Sequence, residues 1–527
     1  MPSKARGDCE NGRSQRASRS ADPPIIFGGE FKGGGIGCFL ELENIAWRIE
    51  PGREDPNNPL ITPKYPWDCN AFGCGHGTVL KDPIDGRYKA WMSSLRDPTP
   101  GDEPGHAIEF RLSYAVSEDG VNWERPELNL CAWEGYPKTN ILFDFDSGGP
   151  STYASVFVDP EENADEPYEM FVFRSPGEKG GAPVVAGFEG RGGGAGRGLY
   201  RYRSRNGIDW RGIEGPLDLD TGDSCYVHRE PRGGYVAHHK GGGMPDVPAP
   251  VGGRVPYDIY CPSIRISQMR TSDDGTHWSA TTPIMFPDWM DAPGDQIMEV
   301  GRYPYGDGYI AVMAVYHAMS QQLDLQFAAS QDGVNWWRPI PRRPCVPLAP
   351  LGDYGGGQLW PSRTLIEDGD QLHLYYGALQ GLHGDLYSNT PTATSFYGGL
   401  CRASWTKGRM WAAVPGGGGL TQGAMVAYPA TPGGRTLCIN GVTVDDGQIE
   451  VELFDASPEA WPEEVQRVER VPAKIVHGYA RSDCDPFHGD HKCKAITFHG
   501  SEKIPIDRPV CVKFRLHKAR LYGFDWR

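Results

Sequence analysis

Ser117-Glu118-Asp119-Gly120-Val121-Asn122-Trp123 decides the fold, because the chain writes nearly the same phrase four times. Ser204-Arg205-Asn206-Gly207-Ile208-Asp209-Trp210 begins 87 residues later. Ser272-Asp273-Asp274-Gly275-Thr276-His277-Trp278 follows after 68 more, and Ser330-Gln331-Asp332-Gly333-Val334-Asn335-Trp336 after another 58. The common core is Ser-x-Asp/Asn-Gly-x-x-Trp. Repetition at such periods is the mark of a repeat architecture. Within the phrase the Asp or Asn accepts backbone N–H bonds, the Gly supplies backbone freedom and the Trp packs an outer edge.

Each copy closes a set of alternating stretches that read as strands. The first set runs Gly77 to Leu80, Tyr88 to Met92 and Phe110 to Val116. The second runs Ala154 to Val158, Tyr168 to Val172 and Leu199 to Tyr202. The third runs Cys225 to His228, Gly234 to His239 and Arg265 to Ser267, and the fourth Gln296 to Val300, Gly308 to Met313 and Leu325 to Ala328. A fifth set, Ser362 to Ile366, Gln371 to Gly377 and Gly399 to Ala403, ends in a decayed copy at Ser404-Trp405-Thr406-Lys407-Gly408. The Asp-Gly turn of the phrase joins each third strand to a fourth. Five four-stranded units predict an all-β chain folded as a five-bladed β-propeller, which radial repetition leaves with few exposed sheet edges. A long array of sandwiches is the rival.

After about residue 410 the pattern changes. Gly416 to Gly419 reads as a hinge, and the stretches Thr436–Gly441, Gln448–Phe454, Val510–Leu516 and Leu521–Phe524 alternate as sandwich strands do. The expected division is a disordered tail over 1–22, a propeller over 23–415 and a C-terminal β-sandwich over 416–527.

The totals agree. In 527 residues there are 70 Gly and 46 Pro, with 11% aromatics, so turn formers and strand formers are high together. A net charge of -16 argues against nucleic acid or an anionic membrane and fits a neutral ligand such as a sugar. Whether the chain forms a homo-oligomer is left open. Thirteen Cys, an odd number without a framework, read as thiols of a reducing, cytoplasmic compartment. Neither Cys69/Cys74 nor Cys484/Cys493 has zinc spacing, and both read as buried thiols. The first 22 residues are polar and basic without an apolar core, unlike a secretory signal. The Gly-rich runs at 189–198 and 240–243 lack the Gly-Lys-Ser/Thr of a phosphate loop and read as inter-strand loops. No metal site and no cofactor are expected.

The four phrases, the five sets and the trailing sandwich together resemble the five-bladed glycoside hydrolase propellers of families 32 and 43 and their relatives. The phrases also resemble sialidase Asp-boxes, although sialidases have six blades. Ser482-Asp483-Cys484-Asp485-Pro486-Phe487-His488-Gly489-Asp490 is similar to a segment of bacterial family-32-like proteins. The invertase hallmark Asn-Asp-Pro-Asn-Gly is absent, which argues against sucrose, inulin or levan as substrate.

Glycoside hydrolysis needs two carboxyl groups flanking the scissile bond. In a propeller these would stand where the innermost strands start, around the axial funnel. Asp68, Asp223 and Asp295 occupy similar phases there, Glu299 lies in the otherwise apolar Ile297-Met298-Glu299-Val300, and Asp146 precedes the second set. The resemblance implies acids from the first three blades, which map by position to Asp68, Asp146 and Asp223. The four catalytic candidates are Asp68, Asp223, Asp295 and Glu299. Bland roles compete: Asp68 as a turn cap, Asp295 as a turn residue, Asp146 as a solvated side chain. The substrate-binding candidates are His76, Asp146, His228, Tyr316, His317, Trp360, Arg363 and His383. The expected function is glycosidic bond cleavage, of a fructofuranoside or arabinofuranoside. A glycoside phosphorylase, an anhydro-sugar-forming transglycosidase and a non-catalytic carbohydrate-binding propeller are the alternatives.

Overall fold

The computed structural model describes residues 22–30, 37–68, 71–72, 75–96, 109–133, 135–143, 151–174, 198–217, 224–242, 264–383, 397–416 and 421–527. The chain is an all-β propeller followed by a β-sandwich. Each radial unit is led by an inner strand: Thr78–Lys81, Ser151–Val158, Cys225–Arg229, Asp295–Tyr305 and, in the last unit, Gln358–Pro361. Antiparallel neighbours lie outward from each, as in Ser151–Val158, Tyr168–Arg174, Gly198–Ser204 and Trp210–Glu214. In the fourth unit the outermost pairing is reduced to isolated bridges, Leu325 with Val346 and Ala329 with Trp337.

The repeated phrases build the turns as their chemistry requires. Asp119 Oδ1 accepts the N–H groups of Val121 and Asn122 at 2.8 and 2.7 Å, and Ser117 Oγ accepts that of Gly120 at 2.9 Å. Asp274 and Asp332 repeat the pattern, and Asn206 does so through its amide oxygen. The glycine sits at positive φ in every copy, 72–79°. A second role is not visible in the phrase itself: in two of the copies the glycine carbonyl receives the preceding unit. Trp91 Nε1 donates to Gly207 O at 2.6 Å, joining unit one to unit two. The Tyr375 hydroxyl donates to Gly120 O at 2.8 Å, joining unit five back to unit one.

Ring closure uses residues upstream of the first unit. Arg53–Glu54 pairs with Ala403 and Ser404 as the outer strand of unit five. Asn58 exchanges hydrogen bonds with the Arg402 backbone. The inner strand of unit five differs from expectation. It spans Gln358–Pro361, breaks, and resumes as a short pairing at Ile366–Asp368. The break arises because the Arg363 N–H leaves its own sheet and donates to Gly77 O of unit one, 2.9 Å away.

The C-terminal sheet is built on two long strands, Leu437–Asp455 and Val510–Trp526, paired along most of their length. The pairs of separate strands expected there merge across a register shift between Thr443 and Gln448. Strands from both sides of residue 415 share this sheet: Gly37–Glu43, Ile45–Ile49, Trp411–Pro415 and Gln422–Ala427. Its core includes Phe39, Ile439, Val451, Phe487 and Phe514. Trp47, Trp337 and Trp411 pack edge to face in sequence at its junction with the ring, with centroids 4.8 and 6.2 Å apart. Asp22 is fixed there by Lys407 at 2.6 Å, while residues 1–21 of the expected tail lie outside the described residues. Cys345, Cys401, Cys438, Cys484, Cys493 and Cys511 are free thiols. No helix among the described residues is long and apolar enough to cross a membrane.

Candidate functional site

One side chain from each of the five units converges at the axis: His76, Tyr153, Tyr226, Glu299 and Trp360. Local distortions aim them. The inner strand of unit four shifts register between Ile297 and Glu299, and such a bulge re-aims the side chain that follows. Glu299 is thereby buried on the axis, with 4% of its surface exposed. In unit two, Tyr153 has φ of 57°, a left-handed conformation that costs a non-glycine residue about 1 kcal/mol or more and collects at functional sites. In unit one, Gly75 has φ of 98°, and a Cβ there would lie 2.1 Å from the Trp360 Cβ. Only glycine lets the chain turn against Trp360 and present His76 immediately afterwards.

The contacts are close. Glu299 Oε2 lies 3.6 Å from His76 Nδ1. The His76 ring stands between Tyr153 and Trp360, at 4.5 and 4.6 Å between centroids. Tyr226 lies 5.6 Å from Tyr153 and is nailed in place by its hydroxyl. That hydroxyl accepts the Gly77 N–H at 3.1 Å and has the Gly75 and Pro361 carbonyls within 2.9 and 3.0 Å as acceptors for its proton. Burial, and after it the charge of Glu299, push the Tyr226 phenol well above its usual range. Ser224, His239, Lys240 and Ser267 lie around Glu299 between units three and four. Tyr316 and His383 extend the aromatic side of the site, 4.8 Å apart, with His383 6.3 Å from Trp360.

The remaining candidates fall elsewhere. Asp295 stands at the start of the Glu299 strand, but its carboxylate accepts the Ala292 N–H at 3.0 Å and holds His317 Nδ1 at 2.9 Å. His317 Nε2 reaches Asp324 at 3.1 Å, so one imidazole bridges two carboxylates. Burial alone would depress that imidazole; the hydrogen bonds to Asp295 and Asp324 outweigh it and push it up to about 10. Asp68 closes a short 3-10 turn, where it accepts the Lys64 and Tyr65 N–H groups at 2.8 Å each and pairs with Arg125. Its neighbour Trp67 is tied to Asn140, beside the outer strand of unit one. Arg363 spans three units below the cluster, donating to Thr78 Oγ1 and Val156 O at 3.3 and 3.1 Å and stacking on Phe157. Burial lowers its guanidinium to about 10. His228 packs 5.5 Å from His238, and burial, with His238 and Arg363 adding to it, keeps it well below its ordinary value. Asp146 and Asp223 lie outside the described residues.

The sequence reading singles out His76, Glu299 and Trp360 but passes over Tyr153 and Tyr226, because a tyrosine in a strand reads as packing. It also counts a clear Arg-Asp-Pro motif as absent, whereas Arg96-Asp97-Pro98 stands in the chain; Asp97 lies outside the described residues. Chemically, the cluster offers a buried carboxylate, an imidazole and two flat aromatic walls around one point.

No family model matches the chain, and no curated protein matches it. Among solved structures it is similar to one described as a glycoside hydrolase, at 12% identity, covering 68% of this chain and 91% of that one with a TM-score of 0.43. It is similar to the β-1,2-mannobiose phosphorylase of Listeria innocua, at 13% identity over 70% and 98% of the two chains, TM-score 0.43. It is also similar to an N-acetylgalactosamine deacetylase from F. plautii, at 16% identity over 70% and 96%, TM-score 0.40. Likeness this distant leaves the reading of the site to its own geometry.

Proposed function

We propose that this chain is a glycosidase with its active site on the axis of a five-bladed propeller, and that the sheet shared by Gly37–Glu43, Ile45–Ile49, Trp411–Pro415 and the strands after residue 421 is an accessory sandwich. One observation carries the reading. Glu299 is a buried carboxylate held against His76 at 3.6 Å, at the point where all five units contribute a side chain. Burying a carboxylate is costly, and such a group is kept where it does chemistry. Glu299 supplies the proton to the leaving oxygen, and His76 orients it. Tyr153 and Trp360 flank the His76 ring and hold it beside Glu299. The second carboxyl comes from Asp223, since Asp295 is committed to His317 and the Ala292 N–H, and a furanoside is the preferred substrate class. A reducing compartment is part of this reading, supported by free thiols such as Cys345, Cys401 and Cys511.

A panel of aryl furanosides, aryl pyranosides and oligosaccharides, read by product analysis with wild type and E299Q, tests the reading. Turnover by wild type alone, independent of phosphate, supports it. Turnover that requires phosphate would replace it with a phosphorylase. Saccharide binding without turnover would replace it with a binding propeller.

A further inference from the structure

The sheet of unit five carries a cavity that none of the five axial residues lines. Its strand Gln371–Leu379 lies between Gln358–Pro361 and Gly398–Thr406, and Arg53–Glu54 closes the outer edge. The register puts Leu359 opposite Ala378, Tyr376 opposite Cys401 and Glu54 opposite Ala403. Residues two apart on a strand share a face, so Leu359, Tyr376, Cys401 and Glu54 follow one another along one face from the inner strand to the outer. With Tyr354 and Ala349, from the segment that leads into unit five, they line a space of about 250 Å³. Glu54 is exposed, so the space meets water at the outer strand. Its volume is that of about eight waters in the liquid, which suits a ligand of about as many non-hydrogen atoms.

Most polar groups around this space are already spent. Asp55 pairs with Arg402 and accepts the Asn57 N–H at 2.9 Å. Asn58 uses its amide nitrogen and oxygen on the Arg402 backbone, at 3.0 and 2.9 Å. Glu54 differs. One of its oxygens accepts the Tyr376 hydroxyl at 3.0 Å, and no cation among the described residues pairs with it. Its charge is felt inside the space: burial first, and Glu54 after it, push the Cys401 thiol above its ordinary range. The thiol therefore stays protonated and forms one more neutral wall. One carboxylate without a counter-charge, beside Leu359, Cys401, Ala349 and two tyrosines, selects a cation with an apolar body. An anion is repelled. A sugar would find one carboxylate and the Tyr354 phenol for its whole rim of hydroxyls. An exposed ion pair alone binds weakly, so the apolar stem must carry much of the affinity.

We propose that this cavity binds a small primary ammonium ion, its nitrogen donating to Glu54 and its apolar stem lying against Tyr376, Cys401 and Leu359. The test titrates the full chain calorimetrically, at constant ionic strength, with ethylammonium, n-butylammonium and n-hexylammonium chlorides and with hexan-1-ol. The expected result is one saturable site whose affinity rises about 3- to 4-fold per methylene. Hexylammonium should bind about 10-fold or more tightly than hexan-1-ol. E54Q, which keeps an acceptor for the Tyr376 hydroxyl, should lose that preference, and E299Q should keep it. Circular dichroism checks that both variants fold, and the comparison of ammonium with alcohol on wild type needs no variant. Equal affinity for hexylammonium and hexan-1-ol overturns the proposal, as does the lack of a saturable site for all four probes. A preference that survives in folded E54Q also overturns it. So does a preference lost in E299Q, which would move the ammonium to the axis.

Discussion

Glu299 of unit four and His76 of unit one meet at 3.6 Å although 223 positions separate them, and the meeting depends on both supporting loops. The bulge at Ile297–Glu299 turns the carboxylate inward, and Tyr226 fastens Gly75 and Gly77 on either side of the imidazole. The pair is thus a product of three units, not of two side chains.

E299Q removes the proton donor while keeping shape. Turnover of the best glycoside should fall by about 10²- to 10⁴-fold. The melting temperature should hold or rise, because an amide is cheaper to bury than a carboxylate. Steady-state kinetics and calorimetry on the same sample check both halves.

The His317 bridge makes stability depend on alkaline pH. Its folded pKa is raised to about 10 from an ordinary value near 6.5. The contribution is complete below about pH 6.5 and is lost as pH climbs towards 10. Denaturant titrations from pH 6 to pH 10 should show a decline on the order of 2–4 kcal/mol in wild type and a flatter profile in H317Q. Parallel curves for the two proteins would refute the assignment.

Glu169 tests the opposite end of the pH scale. It is 0% exposed and meets Arg201, Arg229 and Arg203 at 2.6, 2.7 and 3.2 Å. Burial would raise its carboxyl, but the arginines, Arg201 foremost, hold it below the usual range. Its contribution is therefore present above about pH 4.3 and lost as pH falls through the lowered value. E169Q should cost roughly 1–3 kcal/mol at pH 7, since it takes a charged acceptor from three partly buried guanidiniums, and should shrink the acid-induced loss. Urea denaturation at pH 7 and pH 4 reads both.

The two glycine-carbonyl latches should differ in weight. Y375F deletes the donor to Gly120 O, but Trp123 Nε1 still donates to that oxygen at 3.2 Å, so the cost should be about 1 kcal/mol. W91F takes from Gly207 O the donor it has at 2.6 Å and opens a cavity at a fully buried site, so roughly 2–4 kcal/mol should be lost. Equal costs would show that the latches do not work as described.

The repeated phrase makes the architecture legible from the residues alone, because Ser117, Asp119 and Gly120 satisfy one another locally. What the phrase does for its neighbours is not legible. The donor to Gly207 O is 116 residues away and nothing in its own context marks it. The same limit governs the site. Glu299 stands out because a carboxylate interrupts an apolar strand. Asp68 stands out by position, yet its partner Arg125 lies 57 residues on and ties it to a turn. Tyr153 is announced by a backbone angle that no residue pattern encodes.

The strand Arg53–Glu54 has a consequence for synthesis. Its partner, Ala403–Ser404, leaves the ribosome roughly 350 residues later, which at about 5–20 residues per second is roughly 20–70 s. Throughout that time the early segment has no sheet to join, and the inner faces of the first units have no neighbour on one side. The last unit cannot be completed domain by domain as the chain emerges. It must recapture a segment made at the outset, so the slow step in vivo falls after translation has passed residue 404, when aggregation and chaperone capture compete with ring closure.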